Sequence, residues 1–266
     1  MRLYGKMTAI LCMLTAATVA CAQGSVTAQS APVTPEIGTE APAETHPDAR
    51  DIQFYKDHYK LTDVYTKKVN NIGDGDEDLY GVRNFRVILH GIAYRGGANN
   101  YYHKTNKRDN RNPLPNDGLQ NLCEEGFSKA VYLYSTNFST APKQTNCRDL
   151  FSKNNQLNYV QWSPYNAADV KKVFTEIKSV LDDARKGPIY LHCWNGWHAS
   201  GLISSLVLRQ FCGISGEKAV QYWDKNTDGN NKDSAYEKIR QSIRDFKPME
   251  EFKVSPEVQK VICPII

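Results

Sequence analysis

The stretch that decides the fold lies in the second half of the chain and reads His192-Cys193-Trp194-Asn195-Gly196-Trp197-His198-Ala199-Ser200-Gly201. The run before it, Pro188–His192, is β-like, and the run Ser200–Phe211 is apolar on nearly all sides, as in a buried helix. A strand that turns directly into a helix directs backbone N–H groups into the turn, and the helix start adds partial positive charge. The stretch is therefore predicted to form an anion-binding turn that favours the nucleophilic thiolate of Cys193.

Further runs predict the elements around this turn. Short stretches rich in β-branched and aromatic residues predict strands at Phe85–Leu89, Gly91–Gly97, Ala130–Tyr134 and Tyr159–Trp162. Apolar residues at helical spacing predict helices at Asp169–Ala184 and Tyr236–Phe246. The alternation of strands and helices predicts an α/β domain with a central, mostly parallel sheet flanked by helices.

The N-terminus has the pattern of an export signal. Arg2 and Lys6 are followed by the uncharged apolar run Met7–Ala20, which is too short to span a bilayer stably. Two processing routes fit: a signal peptide over residues 1–22, or a bacterial lipoprotein signal that ends before a lipidated Cys21. Residues 23–50 are rich in Ala, Pro, Thr, Ser and Glu and predict a flexible linker. We expect a folded domain at 51–266, in the periplasm or anchored to a membrane through Cys21.

Composition limits the classes of partner. The formal net charge is +4 and charged residues make up 23% of the chain, which does not favour nucleic acid. Zinc-ligand spacing and dinucleotide fingerprints are absent from the sequence, so neither a metal nor another cofactor is expected. Asp224–Gly229 has the opening of a calcium loop, but Ala235 stands at its twelfth position, and a polar turn explains the same residues.

Five cysteines lie beyond the predicted signal: Cys123, Cys147, Cys193, Cys212 and Cys263. Exported proteins tend to pair their cysteines, and an odd number leaves at least one thiol unpaired. One arrangement pairs Cys123 with Cys147 and Cys212 with Cys263, which leaves Cys193 free. Sequence alone does not fix the pairing.

The central stretch resembles the H-C-x-x-G-x-x-R-(S/T)-G signature of the cysteine-dependent protein tyrosine and dual-specificity phosphatases. The matching residues are His192, Cys193, Gly196, Ser200 and Gly201. In addition, Tyr94-Arg95-Gly96 resembles the Tyr-Arg-Ser element of many bacterial members. The resemblance implies a phosphatase-like fold, Cys193 as nucleophile supported by His192 and Ser200, and a phosphate-binding loop. The residues implied in phosphate binding are Trp194, Asn195, Gly196, Trp197, His198, Ala199, Gly201 and Arg95.

Ala199 stands where the signature has its arginine. That arginine holds two phosphate oxygens, and losing two charge-assisted hydrogen bonds costs roughly 3–6 kcal/mol. His198 or Arg95 can replace the charge, but a solvent-facing His198 and a structural ion pair of Arg95 are equally good explanations. Trp194 and Trp197 are interpreted as an aromatic wall, or alternatively as filling of the loop.

A general acid is harder to find. Between Trp162 and the predicted helix, Asp169 is the only carboxylate, and it is a candidate proton donor to the leaving oxygen. Its place before the helix favours an N-cap instead. Three functions therefore remain open: hydrolysis of a phosphate monoester on a small molecule or phosphoprotein, binding of a phosphorylated or sulfated ligand without turnover, and other thiol chemistry at Cys193.

Overall fold

The structure is a computed structural model that describes residues 51–70, 76–98 and 113–266. The predicted signal and linker, residues 1–50, lie outside the described residues, as do 71–75 and 99–112. Within the described ranges, every helix is too short or too polar to cross a membrane.

A six-stranded sheet forms the centre of the domain, with strand order β1-β2-β6-β3-β5-β4. The strands β2, β6, β3 and β5 are parallel to one another, whereas β1 and β4 are antiparallel to their neighbours at the two edges. Their bounds are β1 Val82–Leu89, β2 Ala93–Ala98, β3 Lys129–Tyr132, β4 Gln144–Arg148, β5 Asn154–Gln161 and β6 Ile189–His192. The predicted α/β class with a mostly parallel sheet is confirmed.

Helices cover both faces of the sheet. Their bounds are α1 Ile52–Tyr59, α2 Asn116–Glu124, α3 Ala167–Asp182, α4 His198–Cys212, α5 Gly216–Lys225, α6 Glu237–Asp245 and α7 Pro256–Ile262. One core cluster contains Phe174 of α3 and Leu202 of α4, and the second contains Tyr55 of α1 and Leu119 of α2. The helix after Cys193 is thus buried against the sheet, as its apolar sequence predicts.

The start of α3 corrects one interpretation. Asn166, not Asp169, is the N-cap: its side chain accepts hydrogen bonds from the backbone N–H groups of Ala168 and Asp169. Asp169 lies inside the first turn, so the N-cap interpretation of Asp169 was wrong. Asparagine is as good a cap as aspartate, and the helix therefore begins earlier than predicted.

Two disulfides tie distant segments together. Cys123 of α2 is bonded to Cys147 of β4, and Cys212 at the end of α4 is bonded to Cys263. Cys193 is a free, buried thiol. The pairing considered from the sequence is therefore the one found.

Residues near the C-terminus pack against the start of the described domain. Ile265 forms an isolated parallel bridge with Asp63. Its N–H donates to the Thr62 carbonyl at 3.0 Å, and its carbonyl accepts from the Val64 N–H at 3.1 Å. The segment that follows α1 is held in place by these contacts.

The docking of α1 includes a partly buried ion pair. The Nε2 atom of His58 lies 2.7 Å from Oε2 of Glu125, and the Tyr59 hydroxyl donates to the same oxygen at 2.7 Å. The hydrogen bond to Glu125 raises the pKa of His58 above its ordinary 6.5, although burial acts against it. A raised pKa means that folding stabilises the protonated imidazole.

We expect this pair to make stability depend on pH. A raised folded-state pKa gives stabilisation that is complete below the ordinary pKa of His58 and is lost as the pH rises through the raised value. The difference in Tm between wild type and His58→Gln should therefore shrink between about pH 6 and about pH 8. Thermal unfolding of both proteins measures it, and a difference that stays constant or grows over this range contradicts the prediction.

Candidate active site

Cys193 follows β6 directly and lies at the base of a pocket of about 260 Å³. The thiol-bearing residue is 5% exposed, and its Sγ lies 3.4 Å from the Ser200 hydroxyl oxygen. The other residues around the pocket are mostly aromatic or apolar: Leu133, Tyr134, Tyr165, Trp194, Asn195, Trp197, His198, Ala199, Tyr236 and Ile239. Among these described lining residues there is no lysine, arginine or carboxylate.

The backbone of the cysteine loop, residues 193–198, is held by its carbonyl oxygens. Six consecutive carbonyls accept hydrogen bonds from the body of the protein. In chain order from Cys193 to His198, the donors are His192 Nδ1, Ala98 N, Asn84 Nδ2, Arg95 Nη2, Arg95 Nη2 again and Trp223 Nε1.

This arrangement determines the direction of the N–H groups. In a trans peptide the C=O and N–H bonds point in opposite directions. Carbonyls turned into the protein at 193–198 therefore turn the N–H groups of 194–199 away from it, toward the side of the pocket. The start of α4 adds its partial positive charge at the same place. The N–H groups of this loop and the start of α4 are therefore the donors that an oxyanion over Cys193 would meet.

Two glycines, Gly97 and Gly196, allow the cysteine loop to lie this close to β2. A Cβ atom on Gly97 would stand 2.6 Å from the Trp194 carbonyl oxygen, and one on Gly196 would stand 2.7 Å from the Gly96 carbonyl carbon. Gly196 also has φ +77°, in the left-handed region that favours glycine. Substituting these positions would push the loop off the strand that supports it.

Arg95 supports the cysteine loop from behind and does not line the pocket. Its guanidinium is fully buried, and Nη2 donates to the carbonyls of Gly196 and Trp197 at 2.5 and 3.1 Å and to the Ser200 hydroxyl at 3.3 Å. Nη1 donates to the Tyr222 hydroxyl at 3.0 Å. Since Ser200 accepts from Arg95, its own proton is available to the Cys193 sulfur. Arg95 thus acts on Cys193 through Ser200, and carboxylates are not among its hydrogen-bond partners in the described ranges.

His192 is a structural residue of the sheet interior. It is fully buried, and its ring stacks with those of Tyr132, Tyr159 and Tyr190. Because a carbonyl accepts only, Nδ1 carries the proton that is donated to the Cys193 carbonyl, and Nε2 accepts from the Tyr159 hydroxyl at 3.0 Å. Burial lowers the pKa of His192 to about 3, so the ring stays neutral. It orients the start of the loop and carries no charge to the pocket.

His198 and Ala199 supply no cation either. The Nε2 atom of His198 donates to the Asn230 carbonyl at 2.5 Å, and the ring stacks on Tyr236 at 4.2 Å between centroids. Burial lowers the pKa of His198. The charge of Arg95 also lowers it, whereas the hydrogen bond to Asn230 acts to raise it. From the sequence, His198 was considered as a solvent-facing loop residue or as a charged phosphate ligand. Its contacts with Asn230 and Tyr236 fit neither interpretation. Ala199 lies in the first turn of α4 and lines the pocket.

Trp194 and Trp197 both border the pocket, as an aromatic wall requires. Trp194 is 38% exposed, and its ring lies 6.1 Å from that of Tyr134. Trp197 is held from outside the loop, because its Nε1 donates to Asp228 Oδ2 at 2.9 Å. The two indoles therefore have different roles, one at the rim and one in the wall.

Asp169 is engaged away from the thiol. Its Oδ2 accepts from the Ser163 backbone N–H at 2.9 Å, and its Oδ1 pairs with Lys172 at 2.9 Å. The hydrogen bonds from Lys172 and Ser163 lower the pKa of Asp169, so the carboxyl is ionised at neutral pH. It borders a neighbouring cavity of about 440 Å³ formed with Tyr134 and Tyr165.

We expect Asp169→Asn to change the turnover of an aryl phosphate by less than about fivefold, because an ionised carboxylate does not act as a proton donor. Asparagine keeps the acceptor for the Ser163 N–H. Steady-state kinetics measure the effect, and Asp182→Asn, at an exposed carboxylate at the other end of α3, is the control. A loss of a hundredfold or more would instead assign Asp169 the general-acid role.

Several residues of the site give no recognisable sequence signal. Asn84, at φ +51°, and Arg83 interrupt the β1 run, and both bond to Asn195: Arg83 Nη2 to its side-chain oxygen at 2.5 Å, Asn84 Nδ2 to its carbonyl at 2.7 Å. The two consecutive polar residues, Arg83 and Asn84, within this strand are the one clue. Among the described residues, no group of three or more His, Cys, Asp or Glu side chains is arranged to hold a metal ion.

Comparisons with known proteins give structural matches alone. No model of a protein family and no curated protein sequence matches the chain. It is similar to the core catalytic domain of the PP-IP phosphatase SIW14 from S. cerevisiae (15% identity, TM-score 0.37, covering 67% of this chain and 90% of that one). It is similar to TpbA of P. aeruginosa (15%, 0.36, 60% and 86%) and to the protein tyrosine phosphatase TbPTP1 of Trypanosoma brucei (12%, 0.32, 82% and 84%). The structures that this chain is similar to thus include a PP-IP phosphatase and a protein tyrosine phosphatase.

Proposed function

We propose that the protein binds an aryl phosphate monoester over Cys193 and transfers its phosphoryl group slowly to the thiolate. The observation that carries this proposal is the set of six carbonyls bonded into the protein, because peptides in this orientation turn their N–H groups toward the side on which an oxyanion over the sulfur would bind. The aromatic lining of the pocket suits a ring on the ester.

The chemistry takes two displacements at phosphorus. The Cys193 thiolate attacks, so that an S–P bond forms while the bond between phosphorus and the aryl oxygen breaks. The aryloxide leaves and takes a proton from water. Water then attacks phosphorus, the S–P bond breaks, and inorganic phosphate and the thiolate are released. An aryl leaving group needs little help from a general acid, which agrees with an ionised Asp169.

A second candidate is binding of a phosphorylated or sulfated ligand without turnover. Ala199 in the position of the phosphate clamp favours it, as does the use of Arg95 for carbonyl oxygens. In this case backbone N–H groups alone hold the anion. Without the arginine, the site gives less additional stabilisation to the charge that develops in the transition state, so the ligand is bound but turned over slowly or not at all.

Kinetics with p-nitrophenyl phosphate separate the two candidates. Hydrolysis predicts a wild-type rate well above that of Cys193→Ser, together with a phosphoenzyme that is trapped on rapid quenching. Protection of Cys193 from iodoacetamide by inorganic phosphate, without turnover above the Cys193→Ser rate, supports the binding protein. Absence of both protection and turnover rejects both candidates and leaves other thiol chemistry at Cys193.

We also infer that the protein is exported. The basic and apolar N-terminal pattern and the disulfides Cys123–Cys147 and Cys212–Cys263 support this, because such bonds persist in oxidising compartments. Metabolic labelling with palmitate, in wild type and in Cys21→Ala, distinguishes a lipid anchor at Cys21 from ordinary signal cleavage.

A further inference from the structure

The Asp228 carboxylate is a point where several segments meet. The Nζ atom of Lys67 lies 2.6 Å from Oδ1, and Nε1 of Trp197 donates to Oδ2 at 2.9 Å. Nη2 of Arg86 lies 3.7 Å from Oδ1. One carboxylate therefore connects the segment after α1, the strand β1 and the cysteine loop.

Arg86 depends on this carboxylate. Its side chain is 1% exposed, and within residues 51–70, 76–98 and 113–266 its Nε, Nη1 and Nη2 atoms have no hydrogen-bond partner. Asp228 is the acidic side chain paired with it in the described part of the chain. Arg86 also faces Arg95 in the register of β1 and β2, so two buried guanidiniums lie side by side behind the cysteine loop. An uncompensated buried charge is strongly destabilising, which makes the position of Asp228 consequential.

The charges around Asp228 keep it ionised. Burial acts to raise the pKa of Asp228, but hydrogen bonds from Lys67 and Trp197 and the charges of Lys67 and Arg86 outweigh it, so the pKa lies below its ordinary value. Burial lowers the pKa of Lys67, and the charges of Arg86 and Arg95 act in the same direction. Lys67 thus faces two further cations, whereas Asp228 faces two hydrogen-bond donors, Lys67 and Trp197, and the charge of Arg86.

The turn that carries Asp228 has a constrained backbone, which fixes the position of the carboxylate. Asp228 and Gly229 have φ values of +52° and +80°. Asn226 and Thr227 before them are buried, with their side chains bonded to the carbonyls of Tyr222 and Asp224. This is the segment with the opening of a calcium loop, and its two aspartates point to different partners: Asp224 to Arg240 at 2.7 Å, and Asp228 to Lys67 and Trp197.

The same turn contacts two consecutive residues of the cysteine loop. Asp228 bonds Trp197, and the Asn230 carbonyl bonds His198. Trp197 and His198 both line the pocket over Cys193. Movement of the Asp228 turn is therefore transmitted to the pocket wall and to the peptides at the start of α4.

We propose that Asp228 is a positioning residue for the Cys193 site, a carboxylate latch that neutralises Arg86 and fixes the Trp197 indole as one wall of the pocket. The expected effect of Asp228 on ligand binding rests on the proposed oxyanion binding at Cys193. The latch itself is a property of Asp228, Trp197 and Arg86 and can be observed without a ligand.

Chemical rescue in Asp228→Ala tests the latch. The variant leaves a carboxylate-sized gap beside Lys67, Arg86 and Trp197, which formate can enter. The Trp197 indole N–H resonance, assigned with Trp197→Phe, should move in Asp228→Ala and return toward its wild-type position as formate is added. Chloride at equal ionic strength should not restore it. An indole resonance that does not move, or one that ignores formate, overturns the latch.

Ligand binding gives the second readout. The phosphate concentration that half-protects Cys193 from iodoacetamide should rise about tenfold in Asp228→Ala, the size of one charge-assisted hydrogen bond, and should recover in formate. Wild type in the same formate series corrects for formate bound at the cysteine loop. Glu217→Ala, which removes an exposed partner of Arg244 at the far end of α5, should change neither readout.

The outcomes separate the two proposals. If phosphate does not protect wild-type Cys193, oxyanion binding fails, and the indole resonance alone decides the latch. If phosphate protects wild type and Asp228→Ala equally, the positioning role is rejected while oxyanion binding stands. Should Asp228→Ala not fold, Asp228→Asn retains an acceptor for Trp197 but lacks the charge. It should then keep the indole resonance near its wild-type position and still weaken phosphate protection, and unchanged protection overturns the role of the charge.

Discussion

Replacing Ala199 with arginine is expected to strengthen phosphate binding by roughly thirty- to a thousandfold. Ala199 lies in the first turn of α4 and lines the pocket, so its side-chain direction leads to the anion position. Two charge-assisted hydrogen bonds contribute about 3–6 kcal/mol, and ordering the long side chain costs about 1–2 kcal/mol of this. If turnover by wild type is slow because the clamp is absent, turnover should rise as well.

Two companion variants show which property of arginine matters. Ala199→Lys adds charge without the planar fork, and Ala199→Leu adds volume alone. The phosphate concentration that half-protects Cys193 from iodoacetamide should fall strongly for Arg, weakly for Lys, and not for Leu. Arg and Leu variants with equal phosphate affinity would contradict an anion site at this position.

Replacing Arg95 with methionine should cause the largest loss. Arg95 donates to the carbonyls of Gly196 and Trp197 and to the hydroxyls of Ser200 and Tyr222 from a fully buried position. Each buried acceptor left unpaired costs about 1–3 kcal/mol, so we expect the free energy of unfolding to fall by about 3–5 kcal/mol. Phosphate protection of Cys193 should disappear, because the loop N–H groups no longer keep a common direction.

Arg209→Met is the matched control for Arg95. Arg209 also donates to two consecutive carbonyls, those of Ile243 and Arg244 at 2.5 and 2.9 Å, but it lies in the last turn of α4, at the opposite end from Cys193, and outside the pocket lining. Urea unfolding and iodoacetamide protection should therefore separate the two variants. Arg209→Met loses stability and keeps phosphate protection, whereas Arg95→Met loses both. Intact protection in a folded Arg95→Met protein would refute the supporting role of Arg95.

The strand, the cysteine loop and the helix of the site could be predicted because they are formed by contiguous residues. A β-like run, a cysteine, a glycine and an apolar helix follow one another from Pro188 to Phe211, and local pattern suffices to order them. The two disulfides match the arrangement considered from the five cysteines and the expected export, although the sequence did not fix this pairing. Strand β4 and helix α2 went unpredicted, because β4 is a polar edge strand and α2 is short.

The direction of side chains could not be predicted, since it depends on contacts between residues far apart in the chain. The sequence allowed Arg95 either a phosphate or an acidic partner, yet the carbonyls of residues 196 and 197, about a hundred positions away, take its donors. His198 is fixed by Asn230 and Tyr236, and Asp228 by Lys67. Such pairings come from the packing of the sheet and its helices and leave no periodicity in the sequence.

The contact of Ile265 with Thr62 and Val64 has a consequence for how the protein is made. These residues are about two hundred positions apart, and closing so long a loop is slow compared with local structure formation. The Thr62–Val64 part of the segment gains these contacts only once Ile265 has been synthesised, whereas its Lys68–Asn70 part pairs with Asn84 and Phe85 of β1. The last step in docking the segment that carries Lys67 is therefore expected to be post-translational.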